Sequence, residues 1–263
     1  KQGIEADAYD SFDLGLITDS NFGNANFKRK SFDYIGRKLK KRNSTNIPVI
    51  TGFIGKEEEK VEYVKSSITT MGPNSSDLTA VIFGVALGAE EIYTYKTVNG
   101  VLTGDNNKVD FPTTIPRLSY EEAAELSAYG ADVMSPRAVK LASLFNKEIK
   151  VLNIKNPERD YTIISKETSN TPIKGITSKS HTSLITISSP EMIDQVGFAA
   201  KIYEILRHNN ISADVFSSSG VTLSNTIDPY VDDRKRKDEQ RDFTKLETSL
   251  KKYGDISIEK EKS

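Results

Sequence analysis

Between Thr69 and Asp77 the chain sets Thr69, Thr70, Ser75, Ser76 and Asp77 directly ahead of the apolar run Leu78 to Leu87. Hydroxyl and carboxylate side chains at the start of a helical run accept hydrogen bonds from its free N–H groups, so Ser75 to Asp77 read first as N-cap residues. The rest of the composition narrows the available chemistry. There is no cysteine, which excludes a disulfide framework, a thiolate metal site and a cysteine nucleophile, and fits a reducing compartment. His181 and His208 are the only histidines, too few for a histidine-based metal site. His208 reads as a polar cap near a helix end and His181 as a surface residue at a strand edge, with an effector ligand or pH switch as the alternative. Carboxylates, ammonium groups and hydroxyls are what remain to do work.

The 36 lysines and arginines nearly balance 37 acids, so no global field favours a nucleic-acid backbone or an anionic membrane. Small molecules and other subunits are the expected partners. The longest apolar run, Ala80 to Ala89, is much shorter than the ~20 residues that cross a bilayer, and a soluble, cytoplasmic protein is expected. The chain opens at Lys1 with no charged-then-apolar leader and reads as a segment of something longer.

Helices and strands alternate through the first part, the pattern of a layered α/β domain with a largely parallel sheet. Leu14 to Thr18 reads as a short strand and Ser31 to Lys41 as a helix with a basic last turn, favourable at a helix C-terminus. Ile47 to Phe53 reads as a buried strand ending at Gly55, followed by a charged loop through Lys65. Glu90 to Tyr95 and Val98 to Thr103 are strand candidates around the Asn99-Gly100 turn. Tyr120 to Tyr129 is an amphipathic helix, Pro136 begins another, and Lys150 to Ile154 is a further strand.

The polar stretch Glu167 to Gly175 reads as a linker, dividing the chain into 1–166 and 176–263. Beyond it come a strand (Thr182 to Ser188), a helix (Gly197 to His208), strands Ile211 to Ser217 and Val221 to Ile227, a charged helix (Arg234 to Tyr253) and a strand (Asp255 to Lys260). This is a split βαβ unit repeated, the ferredoxin-like arrangement. Arg234 to Asp242 mixes both signs at helical spacing and reads as a solvated helix face.

The segments IPVITGFIG (47–55), TTMGPNSSD (69–77), YKTVNGVLTGDNNKV (95–109), LSYEEAAELSAYGADVMSPRAV (118–139) and KVLNIKNPERDYTII (150–164), in this order, resemble the nucleotide-binding half of an aspartokinase. The resemblance implies an amino-acid-kinase-like α/β domain that transfers phosphate from ATP, with Mg²⁺, to L-aspartate, giving 4-phospho-L-aspartate in lysine, threonine and methionine biosynthesis. It implies Asp77 as organiser of the transferring phosphate, Thr70 and Ser76 as substrate-binding residues, and Lys96, Thr97, Leu102 and Asn107 in the nucleotide segment. No protein metal ligand is implied.

Departures from the family pattern cluster in the same places. Pro73 replaces a carboxylate-gripping arginine and offers no donor at all. Asn74 and Ser75 replace two glycines, Thr97 an acid, Asn107 an arginine that contacts ATP, and Asp132 a lysine that meets the nucleotide. A Lys-Phe-Gly-Gly segment and a following glutamate segment, which the resemblance implies for charge neutralisation, do not occur among these residues. The polypeptide alone is therefore expected to be inactive, and a non-catalytic sensing or dimer-partner subunit is the alternative.

The segments PIKGIT (172–177), MIDQVGFAAKIYEILRHNNISADVFSSSGVTLSNTID (192–228) and YGDISIEK (253–260) resemble an ACT domain, the amino-acid sensor attached to aspartokinases. That resemblance implies homo-oligomers joined through this unit and an amino-acid effector, lysine first and threonine second. Met192, Asp214 and Ser219 match its ligand-contacting positions, with Asp214 available to the effector's ammonium group. Gly220 stands where a glutamate of the lysine-sensing pattern would be.

Overall fold

The computed structural model describes residues 3–42, 44–58, 66–129, 134–180, 182–227 and 242–260. It divides into two compact units, Lys1–Ser178 and Lys179–Ser263. The first contains β1 (Ala6–Tyr9), β2 (Ile17–Thr18), α1 (Ser31–Lys40), β3 (Ile47–Ile50), β4 (Ile54–Glu57), β5 (Ile68–Thr70), α2 (Ser75–Leu87) and β6 (Glu91–Lys96). It continues with β7 (Arg117–Ser119), α3 (Tyr120–Ala128), α4 (Pro136–Leu144), β8 (Glu148–Asn153) and β9 (Thr162–Ser165).

Helix α2 organises this unit. It is apolar around its circumference, as a helix buried by neighbours on several sides must be, and Leu78, Val81 and Ile82 are fully buried. Each such side chain contributes about 1.5–3 kcal/mol by leaving water. Where α2 crosses β6, a Cβ on Gly84 would lie 2.8 Å from the Ile92 side chain. The helix ends where Gly88 turns left-handed (φ 70°) and the Ala89 N–H returns to the Gly84 carbonyl at 2.8 Å.

The strand pairing of this unit is largely parallel, with four parallel pairs and two antiparallel ones among the described residues. In β6-β8-β9-β7 the outer pairs β6/β8 and β7/β9 are parallel, but β8 and β9 run antiparallel. β1 pairs with β3 in parallel, and β4 joins β2 in parallel and β5 in antiparallel fashion. The expected strand at Val98 to Thr103 does not form. β6 pairs with β8 instead of folding back through Asn99-Gly100, and the segment contributes one isolated bridge, Leu102 to Thr114. The expected strand from Ile47 to Phe53 stops at Ile50, because Phe53 adopts a left-handed backbone (φ 74°) and the chain restarts as β4. Nor is β3 buried, since Ile47 and Val49 are each more than half exposed. The expected strand over Leu14 to Thr18 is reduced to Ile17–Thr18, Leu14 and Leu16 being buried in the preceding turn.

Residues of the expected linker, Glu167 to Gly175, and those just after it bond to the first unit. Ile176 N–H donates to the Thr103 carbonyl at 2.9 Å, and Lys108 Nζ to Ser178 Oγ at 2.8 Å. Thr168 Oγ1 donates to Glu122 Oε2 at 2.6 Å, and Lys174 Nζ lies 3.8 Å from Glu122 Oε1. Glu122 also closes the capping box of α3 by accepting from the Ser119 N–H.

The second unit runs β10 (Ser183–Ser188), a 3-10 turn (Pro190–Met192), α5 (Phe198–His208), β11 (Ala213–Ser218), β12 (Thr222–Ile227), α6 (Thr244–Leu250) and β13 (Asp255–Lys260). The strands form one antiparallel sheet in the order β11-β12-β10-β13, the ferredoxin-like order. Ile185, Ile187, Phe198, Ile202, Leu206, Leu246 and Leu250 form its own core. Residues 234–241 of the expected charged helix lie outside the described residues, as do His181 and Asp132, and the remainder forms α6 and a 3-10 turn (Lys251–Tyr253).

Candidate active site

The first turn of α2 and the end of β6 meet at an ion pair. Lys96 Nζ lies 3.1 Å from Asp77 Oδ2 and 3.4 Å from Oδ1. The Asp77 side chain is 11% exposed and that of Lys96 27%, so the pair is shielded yet open at the lysine end. Asp77 sits where the helix's free N–H groups favour an anion. Lys96 closes β6 at the carboxyl end of a parallel pair, the place where open α/β sheets take ligands. Beside it, Ile154 N–H donates to the Lys96 carbonyl at 2.9 Å and Asn153 Nδ2 to Asn99 Oδ1 at 2.7 Å, fixing the mouth of β6 and β8.

The loop before α2 corrects the capping expectation. Neither Ser75 nor Ser76 is the N-cap. That position falls to Asn74, in left-handed conformation (φ 54°) and without a side-chain capping bond. Ser75 turns its hydroxyl back to the Met71 carbonyl at 2.8 Å, and Asp77 faces Lys96. Asparagine is among the few non-glycine residues that accept this backbone region readily, so Asn74 keeps the turn a glycine would make. Exposed Ser76 lies against Gly52, where a Cβ would approach its Oγ to 3.2 Å. Phe53 N–H is fixed by Thr79 Oγ1 at 3.0 Å, so a strained non-glycine residue buttresses the start of α2. Thr70 accepts the Ala25 N–H through its carbonyl at 3.0 Å.

Thr97 is exposed beside Lys96 in the chain. Leu102 and Asn107 stand apart, on the loop between β6 and β7. Leu102 forms the bridge to Thr114, and Asn107 turns both its N–H (2.9 Å) and Nδ2 (3.0 Å) onto Asp105 Oδ1, closing a local turn. The base of this loop is pinned by buried Thr162, whose Oγ1 accepts from Val101 N–H and donates to the Ile115 carbonyl, both at 2.7 Å. Gly100 (φ 71°) permits that approach, for a Cβ there would stand 2.5 Å from Thr162 Oγ1.

Sequence reasoning missed Arg137. From the first turn of α4 it donates to the Met71 carbonyl (2.7 Å), the Ala25 carbonyl (2.9 Å) and Asn26 Oδ1 (3.1 Å), tying the loop before α2 to the segment after β2. Burial lowers its pKa, and nearby Asp19 opposes that shift. Asp19 accepts from Asn26 N–H and Nδ2, both at 3.0 Å, and lines a cleft of about 480 Å³ with Ser20, Asn21, Lys28 and Glu58. Neither Asp77 nor Lys96 lines that cleft.

In the second unit, Ser189 N–H donates to the Val221 carbonyl at 2.8 Å, setting the 3-10 turn that carries Met192 beside the β11–β12 turn that carries Ser219. Asp214 lies at the opposite end of β11, ion-paired to Lys179. Ser219 lies five positions further along the chain, about 16 Å at ~3.3 Å per residue. One chain therefore gathers Met192 and Ser219 but leaves Asp214 apart.

Residues 1–153 match the model of the amino acid kinase family. The chain belongs to that family. Within it, the relatives of this chain are aspartokinases: it is 36% identical over 231 residues to chloroplastic aspartokinase 1 of Arabidopsis thaliana, covering 86% of this chain and 40% of the relative. It is 30% identical over 188 residues to lysine-sensitive aspartokinase 3 of Escherichia coli, covering 71% and 40%. The crystal structure of E. coli aspartokinase III in complex with aspartate and ADP superposes with a TM-score of 0.80 at 25% identity, covering 98% of this chain and 56% of that one. The chain thus spans about two fifths of the length of these curated relatives. Among the described residues no helix is long and apolar enough to cross a membrane.

Proposed function

We propose that this chain carries the nucleotide side of an aspartate kinase site and an amino-acid sensor, in a cytoplasmic protein that phosphorylates L-aspartate from ATP to 4-phospho-L-aspartate. The observation that carries the reading is the Asp77–Lys96 pair. Phosphoryl transfer asks a protein mainly to align the reactants and neutralise charge that develops between them. Lys96 brings a cation to the open end of β6, and Asp77, held by that cation, is the carboxylate available beside the phosphates. The neighbour solved with aspartate and ADP supports the choice of substrates.

Mg²⁺ would enter with the nucleotide and would help to neutralise its phosphates, with Asp77 the carboxylate that would face it. Among the described residues no group of three or more His, Cys, Asp or Glu is placed to hold a metal by itself. The Lys-Phe-Gly-Gly segment is not among these 263 residues, so aspartate-dependent turnover requires that it be supplied. Calorimetric titration with ADP and Mg²⁺ tests the reading: the chain binds, and Lys96→Met weakens binding about tenfold, equivalent to ~1.4 kcal/mol. Absence of nucleotide binding would leave the non-catalytic partner, a reading favoured by Pro73, which is exposed and has no donor for a substrate carboxylate.

The effector reading extends to pairs of chains. β11 is an edge strand with nearly every residue exposed, including Val215 and Phe216. Antiparallel pairing of two β11 edges about a two-fold axis sets Asp214 of one copy opposite the Ser219 end of the other, completing a lysine or threonine site that one copy splits. Supporting this, E. coli aspartokinase III was also solved in complex with lysine and aspartate.

A further inference from the structure

Arg137 brings a positive charge to the loop before α2 with no acid at contact distance to compensate it. Its donors meet the Met71 carbonyl, the Ala25 carbonyl and Asn26 Oδ1, none of them ionised. Among the described residues it forms no ion pair, and the acid nearby, Asp19, accepts from Asn21 and Asn26 instead. The side chain is partly buried, and a charge removed from water without a counter-ion is costly to keep. Neutral donors could tie carbonyls together without that cost.

The carbonyl that Arg137 holds is part of a closed circuit. Met71 O also accepts from Ser75 Oγ at 2.8 Å, and Met71 N–H donates to the Phe53 carbonyl at 3.0 Å. Thr79 Oγ1 accepts from Phe53 N–H and donates to the Ser75 carbonyl, both at 3.0 Å. Met71, Ser75, Thr79 and Phe53 thus form a ring of hydrogen bonds, and Arg137 clamps it from α4. Met71 and Ser75 are also the residues on either side of the turn Gly72 to Asn74. In that turn Gly72 (φ 95°) and Asn74 (φ 54°) have positive φ on both sides of Pro73, an alternation that turns successive N–H groups to one side, as anion-binding backbone does. The second arm of Arg137 reaches Ala25, whose N–H donates to the Thr70 carbonyl at 3.0 Å. One guanidinium therefore spaces Thr70, Met71 and the turn.

We propose that Arg137 is a positioning residue of this site: it sets the Gly72 to Asn74 turn in the form that receives an anion, and its uncompensated charge makes up for the absence of a cation at Pro73. The proposal rests on the nucleotide reading above and adds what holds and charges the turn. Arg137 acts on a bound phosphate through the Met71 carbonyl and through its field, not by contact. The phosphate in turn supplies the negative charge that the guanidinium lacks. The planar fork matters, because a single side chain must meet carbonyls from two segments at a fixed angle.

The test uses the full chain, ADP with Mg²⁺ as probe, and wild type beside Arg137→Met, Arg137→Lys and Leu141→Ala. The last opens a cavity at a buried position one turn further along α4 and leaves Arg137 in place. Calorimetry gives affinity, and urea unfolding gives stability. Arg137→Met should bind about tenfold more weakly than wild type and Arg137→Lys about threefold, the charge being kept and the fork lost. Leu141→Ala should be less stable than wild type yet bind within about twofold of it. Equal affinity of wild type and both Arg137 variants overturns the positioning role and leaves the nucleotide reading intact. So does a loss in Leu141→Ala as large as that in Arg137→Met, because any loosening of α4 would then suffice. Should Arg137→Met not fold, Arg137→Lys set against Leu141→Ala decides the matter in the same way. Absence of ADP binding by wild type overturns the nucleotide reading itself, and the proposal with it.

Discussion

Lys96 Nζ lies 3.1 Å from Asp77 Oδ2, joining the last residue of β6 to the first turn of α2 across 19 positions of chain. Removing the cation alone leaves a shielded carboxylate without its partner. Lys96→Met should cost about 1–3 kcal/mol in urea unfolding. Asp77→Asn in the Lys96→Met background should recover part of that loss. A coupling energy below about 0.5 kcal/mol in the double-mutant cycle would mark the pair as an ordinary surface contact.

Arg137→Met removes three donors from two carbonyls and an amide oxygen at once. The expected loss is about 2–3 kcal/mol, seen as a lower denaturation midpoint with unchanged slope. Arg137→Lys should recover little, since a point ammonium cannot reach Met71 and Ala25 in the planar fork geometry. Full recovery by lysine would show that charge alone holds the two loops.

Gly100→Ala and Gly88→Ala separate backbone strain from collision. Both glycines have positive φ (71° and 70°), but a Cβ at Gly88 meets nothing within 4 Å, whereas at Gly100 it strikes Thr162 Oγ1. Gly88→Ala should cost about 1 kcal/mol and Gly100→Ala at least twice that, read as melting temperatures. Equal losses would mean that Thr162 yields without cost.

Asp19 supplies an acid limb. Burial raises its pKa, but the Asn26 backbone and side-chain bonds, the Asn21 N–H and Lys28 together lower it below the ordinary 3.8. A carboxyl whose folded pKa is depressed stabilises fully above its unfolded pKa, and the contribution fades as pH falls through the folded value. Wild type should therefore lose stability below about pH 4 more steeply than Asp19→Asn, with the two curves parallel from pH 5 to 7. Parallel curves down to pH 2 would show that Asp19 is not held as its hydrogen bonds imply.

The helices, the strand β6 and the βαββαβ order were legible because each is a local pattern: apolar α2 closed by Gly88, alternating β10 and β12, amphipathic α5. What escaped notice is decided by distant partners. Asn99-Gly100 has the composition of a hairpin turn, yet β6 finds β8 as a better-buried neighbour, and the turn instead packs under Thr162. Phe53 carries no sign of its left-handed backbone, which depends on Thr79 and Met71 bonding to its main chain. The stretch from Glu167 to Ser178 has a linker's composition, and Thr103, Lys108, Arg117 and Glu122, far off in sequence, give it a seat. Of the candidate site, the residues were readable but their grouping was not. Asp77 and Lys96 come together, Asn107 folds onto Asp105, and Asp214 sits a strand's length from Ser219.

The pairing of β6 with β8 places Glu91 opposite Glu148, with α3, α4 and their connections in between. Closing so long a loop is slow, because entropy is lost before any ladder bond forms. The α2–β6 contact that holds Asp77 and Lys96 spans a single helix-to-strand connection and needs no such closure. Kinetically, this predicts that the ion pair belongs to a nucleus assembled before β8 docks. Substitutions at Leu78 or Ile92 should then slow folding, while those at Ile149 or Val151 chiefly hasten unfolding.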